Sequence, residues 1–129
     1  MRSHDAKAAR PRRFSYHGLD RIIHERARLG ILASLLAHPK GLAFGELLRL
    51  CDLTDGNLSR HLQVLQAERL VTLNREIGPG RPQTTCRLTS LGRRRLLEYL
   101  AALEQVLQDA AAALGADANP GARPAAARS

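Results

Sequence analysis

Apolar residues recur along this chain in blocks, and the spacing inside each block sets the element it predicts. From Leu19 to His38 the positions Leu19, Ile22, Ile23, Ala27, Ile31, Leu32, Leu35 and Leu36 form a wide helical stripe. Asp20 is the expected N-cap, and Pro39, Lys40 and Gly41 end the pattern. Gly30 weakens the middle, so the stripe allows two helices meeting near Arg26 to Gly30. The stripe is wide enough to fill a core or to join a subunit contact.

Phe44, Leu47, Leu48 and Leu50 then predict a helix of about two turns within Leu42 to Cys51. Asp52, Leu53 and Thr54 make a tight connector. A second helix follows over Thr54 to Val71, with Thr54 as N-cap and Asp55 in the first turn, where negative charge suits the helix dipole. Leu58, Leu62 and Leu65 recur at i, i+4 and i+7 on its apolar face. Two short helices joined so closely predict a helix-turn-helix. The other face of the second helix carries Gly56, Asn57, Ser59, Arg60 and Gln63, with His61 beside Arg60. Asn, Gln and Arg make bidentate contacts to adenine and guanine in the major groove, and Ser adds adaptable hydrogen bonds. His61 can donate to a phosphate or pack sideways. Taken alone, the face is equally that of an amphipathic helix with an idle polar side.

What lies downstream favours the first reading. From Leu70 to Ile77 the pattern turns to period two, with Val71, Leu73 and Ile77 expected inward. Gly78 to Pro82 is a Gly/Pro turn, and Gln83 to Leu88 is a second strand with Thr84, Cys86 and Leu88 on one face. A hairpin directly after a helix-turn-helix is a wing. Arg81 stands at its tip, and Arg75 and Arg87 on its arms. A tip guanidinium does little for stability but can reach phosphate or the minor groove. Thr89 or Ser90 caps a last helix. On it Leu96, Leu100, Leu103, Leu107, Ala110 and Leu114 alternate four and three residues apart, an a/d seam. Such a seam either folds back on its own domain or joins a second copy across a two-fold axis, and the second is preferred.

Composition narrows the class. The chain has 129 residues, 44% of them hydrophobic and 3% aromatic, with no Trp, so one core of aliphatic residues is expected. Its net charge of +8 favours a polyanionic partner, nucleic acid before membrane. Residues 1–17 carry five Arg or Lys against one Asp, and 115–129 two Arg against one Asp, so the middle is only mildly basic. The expected organisation is a basic N-terminal arm over 1–17, a folded domain over 18–114 and an Ala/Pro-rich tail over 115–129. Cys51 and Cys86 belong to no CxxC or zinc-spaced cluster. No run is long enough to span a membrane, and no secretory leader is evident. A reduced, cytoplasmic protein without membrane attachment is expected. No Ser/His/Asp or Cys/His arrangement, paired carboxylates or Gly-rich phosphate loop points to an enzyme, and no metal or cofactor is expected.

The order of helices, turn, recognition helix, hairpin and long helix resembles the MarR/ArsR-like winged-helix transcriptional regulators of bacteria, closest to their small stand-alone members. The resemblance covers residues 18–114 through RARLGILASLLAHP, FGELLRLCDLTDGNLSRHLQVLQAERLV, GPGRPQTTCRLTSLGRRRL and the Leu-rich end. It implies a mostly α, α+β fold: a winged helix-turn-helix with a two-stranded wing and a long C-terminal dimerisation helix. It implies a homodimer on a palindromic operator in double-stranded DNA, answering to a small-molecule effector that the residues do not identify. By position, Thr54, Asn57, Ser59, Arg60 and Gln63 match base- and phosphate-facing sites, and Arg75 and Arg81 the wing. Metal-sensing members carry a Cys-x-Cys pair or His/Asp pairs, which this chain lacks. Two alternatives stand beside this reading: a winged helix used as a protein-docking module, and a redox-sensing regulator acting through Cys51 or Cys86.

Overall fold

The computed structural model describes residues 14–77, 80 and 82–117. Most of the expected N-terminal arm, the tail beyond residue 117 and Arg81 therefore lie outside the described residues. The chain divides into two compact units, Leu19–Tyr99 and the terminal segments Met1–Gly18 with Leu100–Ser129.

In the first unit the helical stripe does not start at Leu19. Helix α1 is Arg26–Ala37. Before it, Asp20 Oδ1 accepts the N–H groups of Ile22 and Ile23 at 2.9 and 3.4 Å, and Arg28 Nε donates to the Ile22 carbonyl at 2.6 Å. Asp20 thus caps a turn, because a short carboxylate offers the backbone an alternative to helix. Glu25, in extended conformation, is the real N-cap and accepts from Arg28 N at 2.8 Å. Ile23 is fully buried all the same, so its place in the apolar stripe was a burial signal and not a helix signal. α1 runs through Gly30 without a break.

Leu42–Ala43 form a short strand β1, which the helical reading of this block missed. Gly41 admits it: its φ is +99°, and a Cβ there would collide with Arg87 and with the Cys86 carbonyl. Helix α2, Phe44–Cys51, begins where Glu46 accepts from Ala43 N at 2.8 Å and ends at Asp52 in the left-handed region. Helix α3, Asp55–Ala67, starts with Thr54 Oγ1 accepting from Asn57 N at 3.3 Å. It stops short of Val71, because Arg69 takes a positive φ and Leu70 N bonds back to Leu65 O at 2.9 Å.

The hairpin consists of β2, Val71–Glu76, and β3, Gln83–Leu88, paired antiparallel with Val71 opposite Leu88 and Leu73 opposite Cys86. With β1 on the far edge of β3, the sheet has three strands in the order β1-β3-β2. Val71 and Cys86 are buried and Leu73 is half-buried, but Ile77 is 79% exposed, beyond the last strand pair. Helix α4, Ser90–Asp117, is capped by Thr89 Oγ1, which accepts from Gly92 N at 2.8 Å.

The core gathers Ile31, Leu32 and Leu35 of α1, Leu47 of α2, Leu58, Leu62 and Leu65 of α3, and Leu96 and Tyr99 of α4. Full burial of each Leu stabilises by roughly 1.5–3 kcal/mol. In the terminal unit, Tyr16 Oη donates to Asp109 Oδ2 at 2.7 Å and Gly18 lies against Ala102, so Tyr16 and Gly18 rest on α4.

Candidate nucleic-acid interface

Burial of Leu58, Leu62 and Leu65 on one side of α3 dictates what the other side presents. Gly56, Asn57, Ser59, Arg60 and Gln63 are all exposed, as is Thr54 at the cap. A Cβ on Gly56 would meet nothing within 4 Å, so the helix leaves open space there. Arg60 Nη2 donates to Asn57 Oδ1 at 2.9 Å, which holds the two side chains together on one ridge. The face has short and hydrogen-bonding groups at its centre, and such a helix can approach base edges closely.

His61 does not share that face. Its side chain is only 13% exposed, with Nδ1 3.3 Å from Arg28 Nη1 and 3.9 Å from Glu25 Oε1. The 100° step of the helix carries it from Arg60 toward α1, where it packs sideways. On the wing, Arg75 is exposed opposite Thr84. Arg87 is engaged elsewhere: its Nε donates to the Lys40 carbonyl at 2.9 Å.

The proposed contact seam on α4 separates into two. Leu96 is fully buried and Tyr99 nearly so, with Leu103 and Val106 half-buried. Leu97, Leu100, Leu107 and Leu114 are 43%, 36%, 64% and 61% exposed. Leu96 is thus a core residue with no surface for a second copy. The predicted seam mixes Leu96 and Leu103, which are buried and half-buried, with Leu100, Leu107, Ala110 and Leu114, which are exposed.

Three consecutive arginines at the start of α4, Arg93 to Arg95, are likewise split. Arg93 and Arg94 are exposed, whereas Arg95 donates through Nε and Nη2 to Asp20 Oδ2 at 2.9 and 2.6 Å and through Nη1 to Glu68 Oε1 at 3.4 Å. Burial pushes the Asp20 carboxyl up, but the hydrogen bonds from Arg95 and the backbone outweigh it and hold the pKa below its ordinary value. Sequence reasoning missed this network. Its one signal was spacing: Arg95 falls on the same side of α4 as Gly92, Leu96 and Tyr99.

Cys86 is buried, and desolvation pushes its thiol pKa up to about 12. Cys51 is half-buried with Sγ 3.7 Å from Ser34 Oγ. Among the described residues no cluster of three or more His, Cys, Asp or Glu could hold a metal, and no helix is long and apolar enough to cross a membrane.

A helix-turn-helix with a polar second helix and a following hairpin defines a winged helix. The family model for a winged helix DNA-binding domain matches residues 27–107, and the chain belongs to that family. It is similar to the transcriptional regulator homologue protein from Pyrococcus horikoshii OT3, at 32% identity over 68% of this chain and 86% of that one, with a TM-score of 0.65. It is similar to a MarR family transcriptional regulator from Silicibacter pomeroyi at 25% identity, over 81% and 70% of the two chains, with a TM-score of 0.51. The fold is shared with S. aureus MepR, solved as a DNA complex, at 18% identity over 83% and 82% of the chains and a TM-score of 0.61. No match was found among curated proteins. The MarR side of the sequence resemblance is borne out: this is a winged-helix, DNA-binding transcriptional regulator of MarR type.

Proposed function

We propose that the chain acts as a homodimer on a two-fold symmetric operator in double-stranded DNA. One α3 enters the major groove of each half-site, and the wing lies on backbone or minor groove. The observation that carries this reading is the division of α3. Its apolar side is sealed in the core, while Asn57, Ser59, Arg60 and Gln63 stand together in solvent. Thr54 at the cap adds a phosphate contact near the helix N-terminus. Arg75 and Arg81 serve the wing. The exposed row Leu97, Leu100, Leu107 and Leu114 supplies the dimer contact, since soluble monomers rarely leave a long apolar stripe in water. A small-molecule effector belongs to the same reading.

The test is a mobility-shift titration on the promoter region of the chain's own gene across a salt series. The expected result is a preferred site, with affinity falling steeply as salt rises. Binding without site preference, or with no salt dependence, overturns the reading and favours a protein-docking winged helix.

A further inference from the structure

The chain leaving the recognition helix is fastened to the start of α4 at successive points. Glu68 is the C-cap of α3. Thr89 Oγ1 donates to the carbonyls of Arg69 and Leu70 at 2.7 and 3.1 Å, and Thr89 N donates to Leu70 O at 3.0 Å. A Cβ on Gly92 would overlap the Leu70 carbonyl, so only glycine lets the first turn of α4 lie this close to the chain leaving α3. One turn further on, Arg95 reaches Glu68 with one nitrogen and Asp20 with two.

An isolated exposed ion pair would contribute little. This one is not isolated. Arg95 and Asp20 side chains are 25% and 20% exposed. Asp20 accepts from the backbone of Ile22 and Ile23 as well as from the guanidinium. Asp20 thus holds the guanidinium in place, and Nη1 of the held guanidinium reaches Glu68, whose side chain is 41% exposed; a charge-assisted network of this kind fixes direction as well as adding energy.

We infer that Arg95, braced by Asp20 and joined to Glu68, is a positioning residue that sets operator spacing by fixing the angle between α3 and the start of α4. The inference rests on the dimeric-operator reading. In a dimer made through α4, that angle determines how far apart and at what rotation two recognition helices present themselves. Half-sites one helical turn apart must match it. A loosened clamp leaves the base-reading face of each α3 intact but lets the two faces wander.

Duplexes selected from a random pool by the wild-type chain provide the probe. A series is then made with the half-sites moved closer or further by one and two base pairs, together with a duplex carrying one half-site. Wild type is expected to lose at least about tenfold in affinity off its best spacing. Arg95→Gln and Glu68→Gln are expected to flatten that profile to about threefold or less, with single-half-site affinity within about twofold of wild type. Sedimentation and circular dichroism establish that the variants remain folded and assembled. Should Arg95→Gln fail to fold, Glu68→Gln decides alone, because it leaves the Asp20–Arg95 pair in place. Variants as selective for spacing as wild type, or variants that lose half-site and full-site binding in proportion, overturn the clamp. A wild type indifferent to spacing removes the dimeric-operator reading itself, and the clamp falls with it.

Discussion

Arg60 Nη2 donates to Asn57 Oδ1 at 2.9 Å across one turn of α3. The two side chains are exposed, so this bond is free to exchange for one to a base edge. It limits the rotamers of both residues beforehand, which reduces the ordering cost of binding. Arg60→Ala is expected to weaken operator binding by about 1–3 kcal/mol. Its unfolding free energy should move by no more than about 0.5 kcal/mol, as for an exposed position. Anisotropy titration with a selected duplex measures the first quantity and urea denaturation the second. Undiminished affinity would remove Arg60 from the interface.

The neighbouring His61 should behave in the opposite way. Its Nδ1 faces Arg28 Nη1, which has only hydrogens to give, so the nitrogen accepts. His61→Ala is expected to cost about 1 kcal/mol of stability through loss of that bond and of side-chain packing. The slope of log affinity against log salt should stay as in wild type, because no phosphate contact is lost. A slope reduced by about one unit with unchanged stability would return His61 to the DNA face.

These two adjacent residues mark how far the sequence could be read. The alternation of Leu58, Leu62 and Leu65 located α3 and its polar side, because burial fixes one face and helical geometry then fixes the other. It did not resolve a flanking position such as His61, where a rotation of one residue separates solvent from a neighbouring helix. The same limit affected α4: a spacing of four and three fits either of two adjacent rows, and only packing reveals that Leu96 and Tyr99 are inside while Leu100 and Leu107 are not. β1 escaped notice since two residues carry no period. The turn at Asp20 carries hydrophobic residues at helical spacing, but its backbone is held by a carboxylate and by Arg28, six residues beyond Ile22 along the chain but adjacent in space.

The cysteines should differ sharply in reactivity. Burial raises the Cys86 thiol to about 12, so it stays protonated and unreactive at neutral pH. Cys51 is half-buried and accessible to a small reagent. A disulfide-exchange reagent is expected to modify one thiol in the native protein and the second only on unfolding. Replacing both residues with Ala should leave operator binding intact. Two thiols reacting at equal rates in the folded protein contradict this burial. Loss of binding on oxidation in wild type but not in the double variant would establish a redox sensor.

Acid should reveal the Asp20 network. Arg95 and the backbone donors hold the folded-state pKa of Asp20 below its unfolded value. A depressed carboxylate contributes stability that is fully present above its unfolded pKa and is lost as pH falls through the folded one. The loss therefore begins near about pH 4, the ordinary Asp range, and continues below it. Asp20→Asn is expected to be less stable than wild type at pH 7, with the difference shrinking as pH falls through that window. Urea midpoints measured from pH 7 to pH 2 test this. A difference independent of pH would mean that shape and hydrogen bonding, not charge, are what Asp20 provides.

Assembly can be separated from folding on α4 itself, since its two apolar rows have different fates. Leu100 and Leu107 are 36% and 64% exposed, whereas Leu96 is fully buried. A charge at Leu96 must be desolvated inside the core, and Leu96→Glu should unfold the winged-helix unit. A charge at Leu107 stays largely in water in a monomer and one at Leu100 has solvent on its exposed third, whereas both meet apolar surface in a dimer. Leu100→Glu with Leu107→Glu should therefore give a folded monomer with much weaker operator binding, because one recognition helix reads only one half-site. The exposed fractions of Leu100 and Leu107 amount together to about one Leu per copy, so burying them between copies would contribute roughly 1.5–3 kcal/mol per copy, and like charges across a two-fold axis add to that loss. Sedimentation velocity gives the assembly state and circular dichroism the fold. A wild type that sediments as a monomer at micromolar concentration, or a double variant that stays dimeric, would assign the exposed row to something other than the subunit contact.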